Sequence, residues 1–94
     1  MAQQRKKVVF IGGGSLYFES VTAELATTEG LPPLDVVFYD IDRKRNDLMY
    51  RIGRRIVDIT GADMRLSQTG TLAKAIDGAD FAVASVGVHG PKKQ

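Results

Sequence analysis

The sequence contains no cysteine and only one histidine, His89. The absence of cysteine excludes a disulfide framework, a thiol nucleophile and a cysteine-ligated metal. His89 has no second histidine and no convincing carboxylate pair to complete an acid–base or metal site, so we interpret it as a loop residue. We therefore predict that the chain holds neither a catalytic residue nor a metal ligand.

Long apolar runs are also absent, since no stretch approaches the roughly 20 residues that span a bilayer. The basic start, Met1–Lys7, is followed by the short apolar run Val8–Ile11, which is too brief for the h-region of a signal peptide. We expect a cytoplasmic protein without a membrane contact. Thirteen basic residues are mixed with eleven acidic ones, for a net charge of +2, which does not predict nucleic-acid binding.

What the chain does contain is a regular alternation of strand and helix patterns. Ninety-four residues, 44% of them hydrophobic, are enough for one small core. Apolar runs predict four strands, at Val8–Ile11, Asp35–Tyr39, Met64–Ser67 and Phe81–Val86. Strands that alternate with helices indicate an α/β fold, a Rossmann-like doubly wound parallel sheet in the order 3-2-1-4 with helices on both faces.

Three helices are predicted between these strands. Phe18, Val21 and Leu25 recur on one face of the first helix. Asp42 is a plausible N-cap of the second helix, and Gly61 is a good C′ residue just after its end. We predict that one face of this helix is buried, formed by Leu48, Ile52, Ile56 and Ile59. A short third helix is predicted at residues 71–76.

The strongest chemical signal is the glycine run Gly12-Gly13-Gly14-Ser15 between the first strand and the first helix. Glycines let a ligand approach the backbone, and the N-terminus of the following helix favours a pyrophosphate. Tyr17 occupies the third glycine position of the G-x-G-x-x-G pattern, and that glycine mainly serves helix–strand packing. A tight turn without a ligand remains the alternative interpretation.

Asp40 strengthens the dinucleotide interpretation because it ends the second strand, where a carboxylate can accept both ribose hydroxyls of an adenosine. An acidic residue there repels a 2′-phosphate, so NAD is favoured over NADP, although Arg43 and Lys44 lie nearby in sequence. The last strand should bring its own end to the nicotinamide half of the cofactor. The predicted cofactor-binding residues are Gly12, Gly13, Gly14, Ser15, Leu16, Asp40, Arg43, Val86 and Gly87.

Three segments resemble glycoside hydrolase family 4: Val8–Ser15, Phe38–Asp42 and Ala75–Phe81. The family contains NAD- and divalent-metal-dependent α-galactosidases, α-glucosidases, α-glucuronidases and 6-phospho-glucosidases. The resemblance implies oxidation of the sugar at C3 by NAD, removal of the C2 proton, elimination of the aglycone and addition of water, with manganese as Lewis acid. It also implies that the metal ligands and the tyrosine base lie beyond residue 94, so that the chain alone is inactive.

The substrate is left open by the sequence. Phospho-glycosidases of this family tend to carry an arginine before Val-Gly-Gly after the fourth strand, whereas this chain has Gly87 there. An unphosphorylated galactoside, glucoside or uronide is thus at least as well supported as a sugar phosphate. Two alternatives to a glycosidase are the NAD-binding portion of a lactate/malate-type dehydrogenase and a stand-alone nucleotide-binding module.

Assembly follows from the predicted strand order. We expect residues 1–94 to be the N-terminal NAD-binding domain of a longer enzyme. The apolar strand Phe81–Val86 then lies at a sheet edge with unpaired backbone groups. We expect a homo-oligomer, formed by pairing of the fourth strands or by exchange of the C-terminal segment.

Overall fold

The computed structural model describes residues 4–85. Val86, Gly87 and His89 lie outside these residues. In chain order the elements are β1 (Lys6–Ile11), α1 (Tyr17–Thr27), β2 (Leu34–Tyr39), α2 (Arg43–Thr60), β3 (Met64–Thr69), α3 (Leu72–Ile76) and β4 (Phe81–Ala84). The strands form one parallel sheet in the order β3-β2-β1-β4. This confirms the predicted Rossmann-like fold and its strand order.

The core lies between the sheet and the first two helices. Val8, Val9 and Phe10 of β1 are all buried, as a continuous apolar run predicts for a strand covered on both faces. The Phe10 ring stacks on Phe18 of α1 at 4.3 Å between centroids and meets Phe38 of β2 edge-on at 5.1 Å. Aromatic contacts therefore bind the two central strands to α1.

The helices are divided between the two faces of the sheet. Residues of α1 and α2 pack against the core cluster of Phe10 and Phe38. The crossover from β3 to β4 runs back along the sheet, so its right-handedness places α3 on the opposite face, where it contacts β2 and β3. None of the helices in residues 4–85 has the length and hydropathy that a membrane crossing requires.

The ends of α2 are as predicted, but its buried face is not. The Asp42 side chain accepts the Arg45 N–H at 3.1 Å, and Gly61 ends the helix with a φ of +71°. Of the predicted stripe, Leu48 and Ile59 are exposed, while Ile52 and Ile56 are partly buried. The face that packs on the sheet is instead formed by Asn46, Met49 and Gly53.

Gly53 explains this rotation of the helix. An ideal Cβ on Gly53 would lie 2.9 Å from Leu66 Cδ1 and 3.3 Å from Phe38 Cζ. The missing side chain lets the α2 backbone approach the sheet, and the residues spaced around Gly53 are buried with it. The prediction was wrong because the buried face contains a glycine and an asparagine, which a pattern of apolar side chains does not mark.

β4 pairs with β1 alone among the described strands. Phe81, its first residue, is 61% exposed, although the strand is apolar throughout. This placement is the one that the order 3-2-1-4 predicts. Association of the chain through this edge stays a prediction.

Phe10→Ala should lower the free energy of unfolding by about 3–5 kcal/mol, because it removes a fully buried ring and leaves a cavity between Phe18 and Phe38. Phe81→Ala is the matched control on the neighbouring strand, with an expected cost below about 1 kcal/mol. Urea unfolding followed by circular dichroism measures both. Equal costs for the two variants would contradict this account of the core.

Candidate functional site

The glycine loop after β1 is fixed to the end of β2. Gly12 has a φ of +84°, which a side chain rarely allows. The N–H groups of Gly12 and Gly13 both donate to the Tyr39 carbonyl, at 2.9 and 2.7 Å. The loop therefore turns directly over the carboxyl end of the neighbouring strand.

Asp40, the residue that follows β2, connects two loops through its carboxylate. Oδ2 accepts the Gly14 N–H at 2.9 Å, and Oδ1 accepts the Asp42 N–H at 2.9 Å. An ionised carboxylate has about four acceptor positions, so each oxygen keeps capacity for a further donor. Asp40 is thus both held in place by the backbone and available to a ligand.

Close packing explains why glycines occupy the middle of the loop. An ideal Cβ on Gly13 would lie 2.5 Å from Asn46 Oδ1, and one on Gly14 would lie 2.8 Å from Arg45 Cβ. Real Cβ atoms essentially never approach other atoms this closely. Any side chain at these positions would displace the loop from the ends of β2 and α2.

A cleft of about 660 Å³ opens above this loop. It lies at the carboxyl ends of β1, β2 and β4, and the Ser85 N–H donates to the Ile11 carbonyl at 3.0 Å, which joins the end of β4 to that of β1. Ser15 stands at the start of α1, where its Oγ accepts the Tyr17 N–H at 3.2 Å. The positive end of the α1 dipole therefore adjoins the cleft. The lining residues are Ile11, Gly12, Gly14, Ser15, Tyr39, Asp40, Ile41, Asp42, Arg45 and Ser85.

The structure brings together most of the described residues predicted from sequence. Gly12, Gly14, Ser15 and Asp40 line the cleft, and Gly13 is buried beneath it. Leu16 is 64% exposed and lies outside the lining. The predicted residues Val86 and Gly87 lie outside the described part of the chain.

Arg43 does not reach this cleft. Its guanidinium lies against Gly70, where an ideal Cβ would meet Arg43 Cζ at 3.1 Å, and it lines a smaller cleft at the end of β3. Arg45 lies at the main cleft instead, with its Nε donating to the Gly14 carbonyl at 3.4 Å. Sequence reasoning missed Arg45 because two residues of helix rotate a side chain by about 200°, and the run Arg43-Lys44-Arg45 does not show which one faces the loop.

Metal ligands are not assembled in the described region. Residues 4–85 contain no group of three or more His, Cys, Asp or Glu side chains that could hold an ion. The manganese that the family resemblance implies does not fit these residues. Its ligands and the tyrosine base were predicted beyond residue 94, and both stay predictions.

Comparison with known families agrees with the geometry of the loop and cleft. Residues 7–94 match the sequence profile described as family 4 glycosyl hydrolase. The chain belongs to glycosyl hydrolase family 4.

Solved structures of family 4 enzymes share the fold. One is a 6-phospho-α-glucosidase from gut microorganisms in complex with NAD and glucose-6-phosphate, 25% identical, with a TM-score of 0.81 over 93% of this chain. Another is the 6-phospho-β-glucosidase of Thermotoga maritima with manganese, NAD⁺ and glucose-6-phosphate, 26% identical, with a TM-score of 0.70 over 84% of this chain. The chain spans 20% and 19% of their lengths.

Asp40→Ala should lower the free energy of unfolding by about 1.5–3 kcal/mol without any ligand, because the N–H groups of Gly14 and Asp42 lose a charged acceptor. Asp40→Asn should cost less, since its amide oxygen can still accept one of the two N–H groups. Urea unfolding in ligand-free buffer provides the values. A cost for Asp40→Ala within about 0.5 kcal/mol, as at an ordinary surface position, would show that the carboxylate does not hold the loops.

Proposed function

We propose that residues 1–94 form the NAD-binding domain of a family 4 glycosidase that cleaves O-glycosidic bonds by oxidation and elimination. The observation that carries this proposal is the Asp40 carboxylate, fixed by two backbone N–H groups at the wall of a cleft whose floor is glycine. Family membership and the NAD-bound family 4 structures support it. The parent enzyme is proposed to be cytoplasmic.

The glycine loop is the proposed seat of the pyrophosphate. Gly12 and Gly14 line the cleft without a Cβ, so phosphate oxygens can approach the backbone. The N-terminal end of α1 supplies a partial positive charge at the same place, and the Ser15 hydroxyl adds a donor. These features favour a bound diphosphate over an uncharged ligand.

Asp40 is the proposed ligand of the adenosine ribose. Its oxygens each hold one backbone N–H and keep lone pairs for the 2′- and 3′-hydroxyls. A 2′-phosphate would place negative charge beside this carboxylate, so NAD should bind more tightly than NADP. Arg45, which lies at the same cleft, reduces this repulsion without removing the acceptor.

The division of labour in the parent enzyme follows from these contacts. When bound, NAD supplies a hydride acceptor for the sugar carbon that is oxidised. The residues of this chain bind and orient the cofactor, and the proton-transfer and metal-binding groups are proposed to lie outside residues 4–85. The substrate is proposed to be an O-glycoside, and Gly87 leaves open whether it carries a phosphate.

NAD should bind the chain more tightly than NADP. Asp40→Ala should weaken NAD binding about tenfold or more and reduce the preference for NAD over NADP, because the ribose loses a charged acceptor. Isothermal titration calorimetry with both cofactors measures the affinities. Asp58→Ala, on the exposed far part of α2, is the control and should bind as the unaltered chain does. Equal affinity of the unaltered chain for NAD and NADP would contradict the role given to Asp40.

The 94-residue chain should show no glycosidase activity when NAD and manganese are added. Nitrophenyl glycosides of glucose, galactose and glucuronic acid, with and without a 6-phosphate where one exists, provide the assay. Hydrolysis that is lost in His89→Ala would place catalytic groups within this chain and contradict the proposed division of labour.

A further inference from the structure

Asn46 is a buried polar residue that the proposed NAD contacts do not use. It lies in the first turns of α2 and is 3% exposed. Its Nδ2 donates to the Phe38 carbonyl at 3.1 Å, so the side chain joins α2 to the end of β2. Its Oδ1 is buried and accepts no hydrogen bond within the described residues.

This unpartnered oxygen faces the underside of the glycine loop. An ideal Cβ on Gly13 would lie 2.5 Å from Asn46 Oδ1, against 3.1 Å from the backbone nitrogen of Tyr39. The Gly13 N–H cannot satisfy this oxygen, because it donates to the Tyr39 carbonyl at 2.7 Å. The Asn46 amide therefore lies between the end of β2 and the loop, and it contacts both.

A buried acceptor without a donor is costly, and native proteins keep few of them. An apolar side chain at position 46 would avoid this cost but would lose the donor to the Phe38 carbonyl. The amide group combines that donor with an oxygen that packs beneath Gly13. Gly13 precedes Gly14, whose N–H donates to Asp40.

We propose that Asn46 is a positioning residue for NAD, which sets the height of the glycine loop above β2 and thereby the distance between the pyrophosphate seat and Asp40. This inference rests on the proposed NAD-binding function. Asn46 is not one of the residues that line the cleft, so its side chain acts through Gly13 and Gly14. Loss of its side chain should let the loop sink and loosen the hydrogen bond from Gly14 to Asp40.

The chain offers a matched control on the same helix turn. Asp47 Oδ1 accepts Gln68 Nε2 at 2.7 Å, so Asp47 also ties α2 to the sheet, but it ties it to β3 and away from the loop. Asp47→Ala should therefore reproduce any general loosening of α2. Only Asn46→Ala should remove the support beneath Gly13.

Amide hydrogen exchange of the ¹⁵N-labelled full chain tests the proposal without a ligand. In Asn46→Ala, exchange at Gly13 and Gly14 should accelerate about tenfold more than at Val9, whose strand reports global unfolding. In Asp47→Ala, the exchange rates of the loop amides and of Val9 should change by the same factor. Equal acceleration at the loop and at Val9 in Asn46→Ala, or unfolding of both Asn46→Ala and the milder Asn46→Ser, would assign Asn46 to stability alone and overturn the proposal.

Ligand affinity is the second test. By calorimetry, Asn46→Ala should weaken the affinity for NAD about tenfold. It should change the affinity for adenosine, which lacks the pyrophosphate, by less than about twofold. Equal losses for NAD and adenosine, or the same NAD loss in Asp47→Ala, would overturn the proposal. If the unaltered chain binds no NAD, the proposed function fails, while the exchange experiment still decides whether Asn46 positions the loop.

Discussion

The carboxylate of Asp40 is the contact on which the rest of the site depends. It accepts one backbone N–H from the glycine loop and one from the segment that leads into α2. Hydrogen bonds to a charged acceptor are stronger than those between neutral groups. The one from Gly14 joins segments that are 26 residues apart, and the one from Asp42 holds the carboxylate in the orientation that allows it. The carboxylate thereby fixes the distance between the two walls of the cleft.

That contact is possible only because the sheet places the two loops side by side. Parallel pairing sets Ile11 opposite Tyr39, so Gly12 and Asp40 leave the sheet at the same level. The core contacts of both strands specify this register, since a slip by one residue would turn Phe10 or Phe38 away from the face that α1 and α2 cover. Aromatic packing in the core and ligand chemistry at the rim are therefore parts of one arrangement.

The spacing of apolar residues and the residues that begin and end the helices made much of this arrangement predictable from sequence. The apolar runs, the Asp42 cap and the αL residue Gly61 act locally, and each was confirmed. The buried face of α2 was not predictable, because Gly53 and Asn46 have little apolar surface. Gly53 is buried because its missing side chain lets the helix approach the sheet, and Asn46 is buried because it donates to the Phe38 carbonyl. Arg43 and Arg45 could not be told apart for a similar reason, since only the helix rotation decides which one reaches the loop.

The most direct test of this account is an NMR titration of the ¹⁵N-labelled chain with NAD. We predict the largest amide shift changes at residues 12–16 and 40–42, with Gly14 and Asp42 prominent because their N–H groups share the Asp40 carboxylate with the ribose. Residues of α2 beyond Gly53, on the far part of the helix, should remain unchanged. Shift changes concentrated at Arg51, Arg54 and Arg55 of α2, or absent from the glycine loop at saturating NAD, would contradict the account.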